Sequence, residues 1–539
     1  MKSSRVLDNL NRWMHNILFV DLFAGLILLI SGLLFTWGIE AGLDIGLYDE
    51  SNYLFRGVNI HQLGIPAPEW APLYSIWYFI LSLYEPDHVN LYFLNFKLVT
   101  ILPPLLCYIF LRANRVKILV SLLIAWLFLI SRSNGFTWPK VSHFALILMM
   151  LTFIAVSRTQ TRFGSIWFAL IGSLSVSYVR PEYFIICIIM FVLLLRITAY
   201  GEKDRFRQNR AGLLTAGLAI FGALLLFGIP WSKTRSIGAI GQHFSVNWVT
   251  WTESNMNPWT NWQTIVMENF GKIETVQEMV LSNPTLFGQH IIYNVKNLFP
   301  AIWKQLLPIS IDQENTIQIF LVAIVLFSLL TYYFIRLICS ARPNYLLLAL
   351  MGLFLVPILL SVTVIYPRDH YLSICIAIVV FGIAVLIGGR SDTTQVSNVK
   401  PWQIAIIGLL LILLTPNLVD QIGANQPTLS TIRFIQSLQI VESVNILEAE
   451  GGYPIYLGDN FHRVAEFHKD REFSKFVDEQ NINMIVASER MKNDARYRED
   501  QEWHKFVTNF AAQGFSHFII PNTGRDLYIS TDLLLSKGQ

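Results

Sequence analysis

The sequence predicts an all-α polytopic membrane protein of about eleven transmembrane helices, with a small extracytoplasmic α/β domain at its C-terminal end. Three observations predict it. Of 539 residues, 53% are hydrophobic and only 14% are charged, and the mean hydropathy is +0.47. A soluble globule carries about 25% charged residues to cover its surface. Apolar runs close to the ~20 residues that cross a bilayer recur as far as about position 420. Beyond that point the composition turns polar, with 12 of the 40 Lys and Arg residues. A soluble enzyme, a disordered chain and a secreted disulfide scaffold are excluded. The net charge of +3 gives no bulk attraction to nucleic acid, which is not expected as a partner.

The first apolar run, about 17–37, is long enough to span and lacks a small-residue cleavage site, so it reads as a retained helix. The others fall at roughly 90–111, 117–132, 139–157, 164–179, 182–197, 211–230, 317–338, 344–365, 371–389 and 402–419. The stretch 72–84 is apolar but too short to cross, and reads as a juxtamembrane or re-entrant helix. Cys107, Cys187, Cys339 and Cys375 lie in or at the ends of these runs without paired spacing, so they read as buried small hydrophobes.

Charge orients the set. With the N-terminus in the cytoplasm, the short inner segments hold 17 basic residues and the short outer ones 5, the asymmetry that the positive-inside rule requires. The expected location is the plasma (inner) membrane, multi-pass, with the N-terminus cytoplasmic and the C-terminal domain extracytoplasmic. The membrane part is 1–420, with outer loops at 38–89 and 231–316, and the soluble domain is 421–539. Six tryptophans in 231–316 suggest helices lying in the interface. In the tail, 453–457, 484–488 and 515–520 read as strands, separated by stretches of helical period.

On this topology the unusual residues collect on the outer face. Asp44, Asp49 and Glu50 follow the first span, and Glu69 lies among prolines beside Trp70. Lys97 lies about two turns inside the second span, and Lys140 begins the fourth. The turn YVRPEY (178–183) carries Arg180 and Glu182, and the turn YPRDHY (366–371) carries Arg368, Asp369, His370 and Tyr371. Each charge also has an ordinary reading as a solvated or snorkelling helix end, and Glu182 as a salt-bridge partner of Arg180. The adjacent acids Asp49 and Glu50 are harder to account for that way. A carboxylate can take a proton from an acceptor hydroxyl or amine. Arg and Lys can neutralise a departing phosphate. Apolar grooves between helices can hold a lipid tail. Together these suit attack on a sugar joined through its anomeric carbon to a polyprenyl phosphate, with inversion.

These residues resemble the GT-C glycosyltransferase superfamily, in the branch of protein O-mannosyltransferases and the aminoarabinose transferase of lipid A. The resemblance is carried by Asp49-Glu50 in LYDESNY, by EWAPLY (69–74), by the YVRPEY and YPRDHY turns, and by Asn283-Pro284 with His290. It covers roughly 1–420 and implies a GT-C-like transmembrane domain. By resemblance, Asp49 is the base, with Glu50 the acid beside it and Glu69 a second first-loop acid. Arg368 matches a phosphate-binding arginine. Lys97, Lys140 and Arg180 are further candidates for the donor phosphate, and Asp44, Glu182, His370 and Tyr371 complete the candidate set. The late motif departs from a plain Arg-Tyr, and the tail carries no motif that names an acceptor.

The implied activity is transfer of a hexose or pentose from a polyprenyl-phosphate-linked donor to a glycan, lipid or protein acceptor, with membrane lipids as surroundings. No metal site or cofactor is assigned, but a divalent metal stays open, because some relatives use one and Asp44, Asp49 and Glu50 offer oxygen ligands. Three alternatives stand beside this reading. One is an O-antigen ligase or polymerase, disfavoured by the single arginine, Arg235, in 231–316. Another is a transporter or lipid flippase, disfavoured by charges at one face and no internal repeat. The last is a non-catalytic envelope scaffold.

Overall fold

The structure is a computed structural model that describes residues 2–200, 206–230, 233–311, 344–388, 401–423, 425–464, 467 and 472–535. The chain separates into two compact units. The first comprises Met1–Trp37, Ile65–Tyr74 and Phe96–Gln421, and the second Gly38–Gly64, Ser75–Asn95 and Ile422–Gln539. The first loop, read from the sequence as part of the membrane portion, groups with the tail.

The first unit is helical. Among the described residues, seven helices are long and apolar enough to cross a membrane: Phe19–Ala41, His88–Ala113, Val141–Arg158, Pro181–Tyr200, Asn209–Phe227, Tyr345–Val364 and Asp369–Leu386. Three other expected runs form shorter helices, Ile118–Ile130, Arg162–Ser177 and Trp402–Leu413. The expected span at 317–338 and Cys339 lie outside the described residues. Cys107, Cys187 and Cys375 are free and buried. Leu214, Leu218, Phe221 and Leu225 recur at helical spacing and are all exposed. An apolar stripe of this length is not left facing water by a soluble protein, but it suits lipid. Helices close on one another through small residues. A Cβ at Gly172 would lie 2.0 Å from Thr152 Oγ1, so only glycine lets Arg162–Ser177 approach Val141–Arg158 this closely.

Between the spans, helices Lys233–Thr252, Trp262–Phe270, Val276–Ser282 and Pro284–Leu306 pack on a core of Ile240, Phe244, Ile265, Phe270, Met279 and Phe287. The Asn283-Pro284 pair starts the last of them. The Asn283 side chain accepts from Leu286 N–H, and proline occupies the first turn, where its missing N–H costs nothing.

The second unit carries a five-stranded sheet in the order β2-β1-β3-β5-β4, with β1 Val444–Glu448, β2 Phe461–Arg463, β3 Met484–Ala487, β4 Phe515–Ile520 and β5 Arg525–Ser530. The first three strands are parallel, and the β4–β5 hairpin adds antiparallel to β3. Every residue of β3 is buried, as a central strand covered on both faces demands. Helices Phe473–Glu479 and Gln501–Thr508 cover one face through Phe473, Phe476, Trp503 and Phe506. The expected strands at 484–488 and 515–520 form, but the one at 453–457 does not. Tyr453–Leu457 is a short helix, because Pro454 has no N–H to give a ladder and fits a first helical turn instead.

Candidate functional site

In the first unit the two arginine turns meet. Arg180, 8% exposed, donates to Glu182 from Nε at 2.8 Å and from Nη2 at 2.5 Å, and from Nη1 to Ser142 Oγ at 3.3 Å. Its guanidinium lies 4.3 Å from the Tyr371 ring centre, and that ring packs on His370 at 4.2 Å. Arg180 is thus a charge already matched, held between a carboxylate and an aromatic face. Ser142 belongs to the helix that Lys140 precedes. Lys140 is 2% exposed, donates to the Asn134 carbonyl at 3.1 Å, and sits 4.3 Å from Phe96 and 4.8 Å from Phe136 ring centres. His143 Nε2 reaches the same carbonyl at 3.1 Å. Lys97 and Glu69 are half-buried in this unit, and Asp369 is exposed in the first turn of its helix.

Arg368 is held from the long interspan segment. His290 Nε2 lies 3.1 Å from the Val364 carbonyl and its Nδ1 accepts from Asn247 Nδ2 at 2.9 Å. Asn247 also donates to Asn294 Oδ1, and Asn294 donates to the Thr363 and Ile365 carbonyls. The orphan carbonyls at the end of Tyr345–Val364 are thereby satisfied, and the following turn is fixed. His243 stacks on Tyr366 at 5.2 Å and meets the Trp259 edge at 5.6 Å, while the Arg368 guanidinium lies 5.3 Å from the Trp259 ring centre. Burial, and then the charge of Arg368, push the His243 pKa down to about 3, so the ring is neutral. Burial also lowers His290. The sequence reading missed His243, Trp259, Asn247 and Asn294. Only the tryptophan richness of 231–316 pointed toward them.

In the second unit three acidic candidates share one segment but do different things. Asp44 accepts from the backbone N–H groups of Thr428 and Leu429, at 3.0 and 2.8 Å, and so caps helix Pro427–Ser437. Asp49 and Glu50 open helix Asp49–Val58. Glu50 is 2% exposed and accepts from Tyr78 Oη at 2.7 Å and Asn95 Nδ2 at 3.1 Å, while Asn95 Oδ1 accepts from Trp77 Nε1. A Cβ at Gly57 would lie 2.5 Å from the Ser75 carbonyl oxygen, so the helix presses directly on the Ser75–Tyr78 backbone. Asp49 remains half-exposed. Around them, Ser51 Oγ shares a 2.6 Å hydrogen bond with Tyr456 Oη, His88 Nδ1 lies 2.5 Å from the Ile455 carbonyl, and Gln426 donates to the carbonyls of Glu40 and Leu43. The short helix at 453–457 therefore belongs to the support of the Asp49 segment.

Both Asp44 oxygens are taken by backbone N–H groups and Glu50 is turned into its tyrosine–asparagine network. Among the described residues no group of three or more His, Cys, Asp or Glu could hold a metal ion.

No family model matches the chain, and no curated protein does. Among solved structures it is similar to ArnT from Cupriavidus metallidurans bound to undecaprenyl phosphate, at 11% identity and a TM-score of 0.43, over 95% of this chain and 97% of that one. Likeness at that level leaves residue roles to the geometry of this chain.

Proposed function

We propose that the protein is a glycosyltransferase of the plasma membrane that moves a sugar from a polyprenyl-phosphate donor to a glycan, lipid or protein acceptor on the extracytoplasmic face, with inversion at the anomeric carbon. The observation that carries this reading is the unequal treatment of two adjacent acids. Glu50 is immobilised by hydrogen bonds, whereas Asp49, on the same helical turn, keeps a reachable carboxylate. A base needs that combination of fixed backbone and accessible oxygen.

Asp49 takes the proton of an acceptor hydroxyl. The acceptor oxygen attacks the anomeric carbon, and the bond from that carbon to the phosphate oxygen breaks. Polyprenyl phosphate leaves with the bonding electrons, so no general acid is required. Arg368 meets the phosphate charge, with Lys97 as a second cation. Arg180 and Lys140 are already satisfied within the fold, so they act by position and field. Glu69 is a second acid of the first loop, and His370 and Tyr371 are further candidates beside Arg180.

Mass spectrometry of lipid-linked sugars and envelope glycans, in cells with and without the protein, tests the reading. Loss of the protein should raise one lipid-linked sugar and remove one glycoconjugate. Unchanged pools of both, together with no transfer by the purified protein from polyprenyl-phosphate sugars, would discard it.

A further inference from the structure

We propose that the turn after helix His88–Ala113 and the turn after helix Val141–Arg158 together bind the phosphate of an anionic phospholipid headgroup. A cavity of about 460 Å³ lies between these turns, lined by Arg112, Arg115, Arg158, Ser157, Thr159 and Gln160. Asn114 Nδ2 donates to Ser157 Oγ at 2.9 Å and ties the two turns together. Arg112 is fixed in the wall by Asp21, Nε to Oδ1 at 2.7 Å, and Asp21 also accepts from Tyr108 Oη at 2.6 Å. Arg115 and Arg158 are exposed and, among the described residues, their side chains have no ion pair. The cavity thus holds more positive charge than its carboxylate offsets.

Two features go beyond an excess of basic residues at one membrane face. Arg115 occupies the left-handed position that ends its helix, φ 63°, with Val116 N–H returning to the Leu111 carbonyl at 3.0 Å. Glycine or asparagine suits that position, and an arginine there keeps a cation at the cavity mouth against local strain. Ile109 and Leu151 are 45% and 48% exposed, and lie three and seven residues before Arg112 and Arg158, on the same faces of their helices. A cationic pocket continued by apolar helix faces fits a phosphate that carries acyl chains, and a basic pocket between spans is a known form of lipid headgroup site. A soluble phosphate would use only the first part. The site is independent of the proposed glycosyl transfer.

Native mass spectrometry of the full-length protein tests this, after incubation with phosphatidylglycerol or with phosphatidylcholine of the same chains. Wild type should retain phosphatidylglycerol in preference. The double variant Arg115→Ala, Arg158→Ala should retain it about 30-fold less, from two lost cations near an anionic headgroup. The single Arg158→Gln variant should fall between. Millimolar inorganic phosphate should not displace the lipid. Equal retention of the two lipids, wild-type retention by the double variant, or full displacement by phosphate would each overturn the proposal, the last in favour of a soluble anion site.

Discussion

Lys140 and Arg180 are buried in the helical unit, whereas the buried acids Glu50 and Glu448 belong to the unit that carries the sheet. The cations are stabilised by what helix ends and aromatic side chains provide: the Asn134 carbonyl, the faces of Phe96, Phe136 and Tyr371, and one carboxylate, Glu182. The carboxylates are stabilised by donors. Glu448 accepts from the backbone N–H groups of Glu450, Gly451 and Gly452, and Glu50 from a tyrosine and an asparagine. A buried charge costs several kcal/mol unless polar groups replace its water. The second unit buries a cation as well, Arg525, which donates to Glu450 Oε1 at 3.0 Å, so each buried charge is met by groups that match its own sign. Asp49 in the second unit keeps a half-exposed carboxylate, the group that the proposed base requires.

The sharpest way to break this contrast is at Asp49. Asp49→Asn should lower transfer by about 100-fold or more, the usual worth of a general base, with the melting temperature unchanged. Glu50→Gln should instead lower the melting temperature by disturbing the Tyr78–Asn95 network. Turnover and thermal unfolding of the two purified variants separate the roles, and equal behaviour would erase the distinction.

Next in size is Glu182→Gln, which leaves Arg180 buried without its counter-charge. Breaking a buried pair in this way costs about 3 kcal/mol, and it should appear as an earlier thermal transition. Glu182 is itself partly exposed, so the carboxylate is the partner that can be neutralised with least other damage.

A pH scan sharpens the comparison further. The His243 pKa is about 3, held down by burial and by Arg368. The unfolded chain therefore binds a proton near pH 6.5 that the folded one refuses. Stability from this group is complete above pH 6.5 and is lost as pH falls toward 3. Melting temperatures should drop across that window, and His243→Phe should flatten the drop. A wild-type curve with no slope between pH 6.5 and 4 would count against a neutral ring beside Arg368.

The smallest effect is expected at Asp44. Asp44→Ala removes the cap of helix Pro427–Ser437 and should cost about 1 kcal/mol, with faster amide exchange at Thr428 and Leu429. Asp44→Asn should recover part of it. A loss of transfer as large as that of Asp49→Asn, without such exchange, would make Asp44 more than a cap.

The sequence by itself determined that the chain is built from apolar helices with a polar α/β tail, because span length and alternation are properties of consecutive residues. It also singled out Asp49-Glu50, the two arginine turns and Asn283-Pro284-His290 as unusual. Strand 453–457 was misread because a run of apolar residues outweighed Pro454. The tertiary structure alone decided that Asp44 caps a helix more than 380 residues away, that Glu50 is bound to Tyr78 and Asn95 while Asp49 is not, and that His290 locks the turn bearing Arg368. These roles depend on which carbonyls and N–H groups lie within hydrogen-bond reach, and distance along the chain carries no record of that.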